Sequence, residues 1–110
     1  MEVRTKITMV DDEGEKFFGE GPYRLMLLIE ETGSLRAAAM KMDMAYTKAL
    51  KIMNRAEEVL GFELTVKKTG GRAGGGSKLT PQGKEWVERY GKYREACIAA
   101  NRKLYLEFFS

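Results

Sequence analysis

A chain of 110 residues with 44% apolar content is the size of one domain, and it carries enough apolar side chains for a core rather than global disorder. One cysteine, Cys97, and no histidine exclude an internal disulfide framework and any metal site built from several Cys or His, and they leave general acid–base chemistry few candidates. The net charge of +3 decides nothing by itself.

The distribution of charge says more. Residues 1–20 hold three cations against six acids, residues 41–55 four cations against Asp43, and residues 65–84 five cations with no acid. An acidic start and two separated basic stretches predict one positive face. No apolar run approaches the roughly 20 residues needed to span a bilayer. Charges and threonines interrupt the N-terminal MEVRTKITMV, so it lacks the apolar core of a signal peptide. The expected location is the cytoplasm, with neither an enzymatic activity nor a cofactor.

Val3 to Val10 alternates, with Val3, Thr5, Ile7 and Met9 on one side, and predicts a half-buried strand. Asp11 to Gly14 is a turn signal, and Glu15 to Phe18 returns as a second strand. Pro22 suits a first helical turn. Leu25, Leu28, Ile29 and Thr32 then mark a helix that Gly33 ends. Ser34 is a good N-cap for a second helix over Leu35 to Met42, kept slim by Ala37, Ala38 and Ala39. Asp43 stands where the chain must turn, and Asp tolerates the left-handed region.

A third helix is expected over Ala45 to Leu60. Its apolar face is Tyr46, Ala49, Leu50, Met53, Ala56 and Leu60, and its other face carries Thr47, Lys48, Lys51 and Arg55. Glu63 to Lys68 reads as a strand with Leu64 and Val66 inward, and Ser77 to Leu79 can pair back onto it. Thr80 caps a final helix with Pro81 at its first position, running to about Phe108 and spanning roughly 40 Å. Its stripe of Trp86, Tyr90, Tyr93, Cys97, Ala100 and Leu104 steps by four and three residues in turn, a heptad-like seam. Trp86 and Tyr90 fit the domain's own core. The distal Tyr93, Cys97, Ala100 and Leu104 fit a partner helix.

The stretch TGGRAGGGSKLT, Thr69 to Thr80, holds five glycines and two cations. It is not a nucleotide-phosphate loop. There the lysine must follow the last glycine directly at a helix start, whereas here Ser77 intervenes and Leu79, Thr80 and Pro81 separate Lys78 from the helix. A hairpin tip without a role is one reading. The wing of a winged helix is the preferred one: backbone free of side chains approaches a polyanion closely, and Lys67, Lys68, Arg72 and Lys78 cluster around it. The order helix, helix, tight turn, helix, strand, loop, strand agrees, with 34–42 and 45–60 as the helix-turn-helix pair.

The fold class is therefore α+β, mostly α: a single domain over 1–110 with an N-terminal hairpin over 1–20, a winged helix-turn-helix over 21–80 and a long helix over 81–109. GPYRLMLLIEETGSLRAAAMKMDMAYTKALKIMN followed by VKKTGGRAGGGSKLTPQG resembles the DNA-binding domain of the molybdate-responsive ModE regulators, and more distantly the LysR-type winged helices. The resemblance implies an N-terminal hairpin, a winged helix-turn-helix and a dimerising C-terminal helix. It places Tyr46, Thr47 and Lys48 at the start of the recognition helix and Thr69, Gly70, Gly71 and Gly74 to Gly76 on the wing. Ala45 departs from the family's usual serine, and Asp43 from its turn glycine. The family's separate molybdate-binding module lies outside these 110 residues, so DNA binding, and not molybdate binding, is expected of this chain.

The expected function is a homodimeric, sequence-specific regulator of transcription on double-stranded DNA. Its expected contacts are Arg36, Tyr46, Thr47, Lys48, Lys51, Arg55, Lys67, Lys68, Thr69, Gly70, Gly71, Arg72 and Lys78, and its expected dimer seam is Tyr93, Cys97, Ala100 and Leu104. The alternative is a protein-interaction module that keeps the fold without reading DNA.

Overall fold

The computed structural model describes residues 1–68 and 76–110. Eight elements follow in chain order: β1 (Met9–Val10), β2 (Lys16–Phe18), α1 (Glu20–Thr32), α2 (Leu35–Lys41), α3 (Tyr46–Leu60), β3 (Thr65–Lys67), β4 (Ser77–Leu79) and α4 (Pro81–Phe109). The two strand pairs are separate antiparallel hairpins. The expected mostly-α architecture stands, and among the described residues no helix is long and apolar enough to cross a membrane.

The N-terminal strand is shorter than its alternation predicts. Only Met9–Val10 pairs with β2, through an irregular register. Ahead of it the chain lies along α4 instead. Asn101 Nδ2 donates to Thr5 Oγ1 at 2.8 Å, and the Tyr90 hydroxyl donates to the Ile7 carbonyl at 2.7 Å. Thr5, Ile7 and Met9 are half-buried as the alternation requires, while Val3 is exposed. An extended segment needs a partner for each inward group, and here a helix supplies some of them in place of a strand.

Local chemistry fixes the helix-turn-helix. Gly33 ends α1 in the left-handed region at φ 75°, its N–H reaching the Ile29 carbonyl. The Ser34 hydroxyl accepts from the Ala37 N–H at 3.1 Å and starts α2. Ala38 and Ala39 are fully or almost fully buried, so α2 packs against α1 without bulk between them. Asp43 takes φ 51°, the left-handed turn that an aspartate tolerates.

The core gathers Leu25, Met26 and Ile29 of α1, Ala49, Met53 and Ala56 of α3, Leu64, Leu79, and Val87 and Tyr90 of α4. Met26 was not among the helix-marking residues, and Leu50 departs from its inward assignment: it is exposed, and Ile52 is half-buried instead. Phe18 carries the hairpin into this core, edge-on to Trp86 and Tyr90 at centroid distances of 5.4 and 4.9 Å. Leu64 is fully buried but precedes β3.

Three polar ties hold the wing root to the helices. The Glu57 carboxylate accepts from the Leu64 N–H at 2.8 Å, the Thr80 N–H donates to the Leu64 carbonyl at 2.9 Å, and the Thr80 hydroxyl donates to the Glu63 carbonyl at 2.6 Å while capping α4. Gly83 is demanded by this junction, since a Cβ there would stand 2.2 Å from the Leu64 oxygen. At the opposite end of the core, Arg94 Nε binds both Glu20 oxygens at 2.8 and 2.9 Å and fastens α4 to the start of α1. That carboxylate raises the guanidinium's already high pKa, so the tie stays charged. Burial, and then the Glu20 charge, push the Tyr90 phenol up, so it remains a neutral donor to Ile7.

Candidate nucleic-acid interface

The start of α2, the start of α3 and the wing root meet at one point. The Arg36 guanidinium lies over the Tyr46 ring, 4.2 Å from its centroid. Both residues line a polar cavity of about 210 Å³ together with Ser34, Lys67 and Ser77. Tyr46 is half-buried and belongs partly to the core margin, so it packs and presents its ring to this cavity at once. Ser77, the first residue of β4, lines the cavity without being among the expected contacts, because a lone serine at a strand end carries no distinguishing signal.

Thr47, Lys48 and Lys51 stand exposed along the outward side of α3. The helix starts without a side-chain cap, because Ala45 occupies the N-cap with no hydroxyl to offer. The residues i+4 and i+8 from Tyr46 are Leu50 and Asn54, and both line a further groove toward the wing root with Thr65 and Lys67. The helical spacing carries that information, which the apolar character of Leu50 masks.

Arg55 stands apart from this group. Its guanidinium binds the Asp11 carboxylate at 2.5 Å, joining α3 to the N-terminal hairpin. Asp11 also accepts from the Glu13 and Glu15 N–H groups at 2.9 Å each. The Glu15 backbone bond, then the Arg55 contact, hold the Asp11 carboxyl below its ordinary value. The basic residue that the sequence offers to DNA is thus engaged by the acidic hairpin.

On the wing, Lys67 and Lys78 are exposed on β3 and β4. Lys68 is turned toward the end of α1. A Cβ on Gly33 would meet Lys68 Nζ at 2.8 Å, which puts the ammonium where the helix's last carbonyls favour a cation. Gly76 sits as tightly, since a Cβ there would be 2.5 Å from the Gly33 oxygen. The Ser77 N–H donates to that oxygen at 2.8 Å. The expected contacts Thr69, Gly70, Gly71 and Arg72 lie outside the described residues.

Of the expected seam, Tyr93, Ala100 and Leu104 are exposed and Cys97 is half-buried. The same end of α4 also exposes Leu106, Phe108 and Phe109. Among the described residues no group of His, Cys, Asp and Glu could hold a metal ion.

The family model of the bacterial regulatory helix-turn-helix proteins of the LysR type matches residues 23–84, more than half of the chain. The chain belongs to this LysR family. The match covers α1 to the first turn of α4, and so includes every element that builds the polar cavity. The molybdenum-pterin-binding protein MopB of Rhodobacter capsulatus is 34% identical over 67 residues. That is 61% of this chain and 25% of MopB, so the chain spans about a quarter of that relative. The DNA-binding domain of BenM, solved in complex with benA site 1 DNA, has a similar fold, with a TM-score of 0.54 at 21% identity. That likeness covers 76% of this chain and 92% of the BenM domain. The resemblance to ModE and LysR regulators stands, and the family is one of regulators rather than enzymes.

Proposed function

We propose that this LysR-family domain reads double-stranded DNA as a cytoplasmic, homodimeric regulator of transcription, with α3 in the major groove and the wing on the backbone or the adjacent minor groove. The observation that carries the reading is the meeting of Arg36, Tyr46 and Lys67 beside the exposed Thr47, Lys48 and Lys51 on a helix-turn-helix. Arg36 and Lys67 sit where phosphates would flank the groove, and the residues of α3 sit where base edges would be met. Lys78 and the glycine-rich tip add sequence-independent attraction. Arg55 acts through the hairpin rather than on DNA. The exposed apolar end of α4 around Tyr93, Cys97, Ala100 and Leu104 supplies the dimer contact. MopB and BenM support the reading by family and by fold.

The test is selection of bound duplexes from a randomised library with purified protein. A two-fold-symmetric site is the expected recovery, with a half-site spacing that reports the dimer geometry. Recovery without a shared sequence would reduce the function to phosphate attraction alone. No recovery at low salt would point to a protein-interaction module.

A further inference from the structure

A second cavity, of about 410 Å³, lies between the N-terminal hairpin and α3. That volume falls in the range of roughly 300–1,000 Å³ typical of small-molecule sites. Its apolar floor includes Phe17, Pro22 and Ile52, and its rim includes Lys16, Lys48 and Lys51. Among the described residues, none of these three lysines forms an ion pair. Glu20, the acid in the cavity's lining, is bound by Arg94, and Asp11 by Arg55.

Three free ammonium groups over an apolar floor select the occupant by chemistry. A neutral apolar molecule would cover the floor and leave the cations to water. A bare phosphate would meet the cations and leave the floor wet. An apolar body ending in a carboxylate satisfies both. We propose that this cavity binds a small amphipathic carboxylate, and that its occupancy competes with DNA because Lys48 and Lys51 serve both. The competition rests on the DNA-facing reading of α3, whereas binding to the cavity does not.

The test uses the full chain without DNA, titrated with phenylbutyrate, with its neutral amide and with inorganic phosphate, followed by amide NMR. Shifts confined to Thr8 and to residues 16–22 and 48–55 are expected. The carboxylate should bind up to about five-fold tighter than the amide, the upper end for one exposed ion pair. Lys16→Gln with Lys48→Gln and Lys51→Gln, all surface changes, should erase that margin and leave amide binding as it was. Ile52→Ser should weaken both ligands, and if that variant fails to fold the lysine variant still decides. Equal binding of carboxylate and amide, shifts elsewhere, or the same shifts from phosphate alone would overturn the site. A labelled duplex is then displaced by phenylbutyrate if the competition holds. A duplex that binds unperturbed beside bound phenylbutyrate overturns the competition, and a chain that binds phenylbutyrate but never any duplex overturns the DNA reading instead.

Discussion

The two ends of this molecule expose different chemistry for the same reason. At the wing end, the outward side of α3 and both wing strands present cations over a rigid, buried alanine-rich packing of helix on helix. At the far end of α4, Leu104, Leu106, Phe108 and Phe109 stand in solvent with no core beneath them. Clustered apolar side chains in water mark a surface suited to another apolar surface, while a cationic ridge needs only water or a polyanion. The contrast is what the proposed reading rests on, with the apolar end offered to a second protein surface and the basic end to nucleic acid.

The largest effect is expected from the apolar end. Replacing Leu104 and Phe108 by glutamate should yield monomers in light scattering, with operator affinity down by about 10²-fold or more through lost avidity, and with thermal stability nearly unchanged. A variant that stays a dimer would end the contrast, and monomers of unchanged affinity would remove the avidity. Next comes Lys48→Ala, expected to cost about 1 kcal/mol of duplex binding and to lower the salt slope by about one, with oligomeric state untouched. Ala45→Ser should supply the missing cap of α3 and add about 0.5–1 kcal/mol to stability in chemical denaturation.

The smallest effect belongs to the Asp11–Arg55 tie. Its carboxyl pKa is depressed in the folded state, so its contribution is present above the ordinary carboxylate value of about 4 and is lost as pH falls through the lower folded value. Asp11→Asn should remove that acid-side dependence, as read from stability between neutral pH and about pH 3.

The helices were legible in the sequence because their signals are local. Ser34 caps, Gly33 and Asp43 take left-handed turns, and the spacing of Ala49, Met53 and Ala56 marks a buried face. What was not legible mostly needed a partner on another element; Leu50 is the exception, since its own helix's spacing carried the information. Residues 3–8 looked like strand because alternation marks a two-sided environment without saying what stands on the inner side, and here it is α4. Leu50 read as core because it is apolar, yet helical geometry turns it toward the wing-root groove with Tyr46. The tie of Arg55 to Asp11, 44 positions earlier, has no signal in its own helix. The stacking of Arg36 on Tyr46 lies across a turn and has no signature in composition.

The chain's single tryptophan sits at a junction between two of these regions. Trp86 is mostly enclosed, meets the hairpin through the edge of Phe18, and has its indole N–H buried without a hydrogen-bond partner among the described residues. Its emission is therefore a built-in reporter of one event. Peeling the hairpin away would admit water to the indole and move the fluorescence to the red, whereas duplex contact at the wing would leave the indole's surroundings as they are. One optical signal thus separates loss of the hairpin from loss of DNA without a label being added.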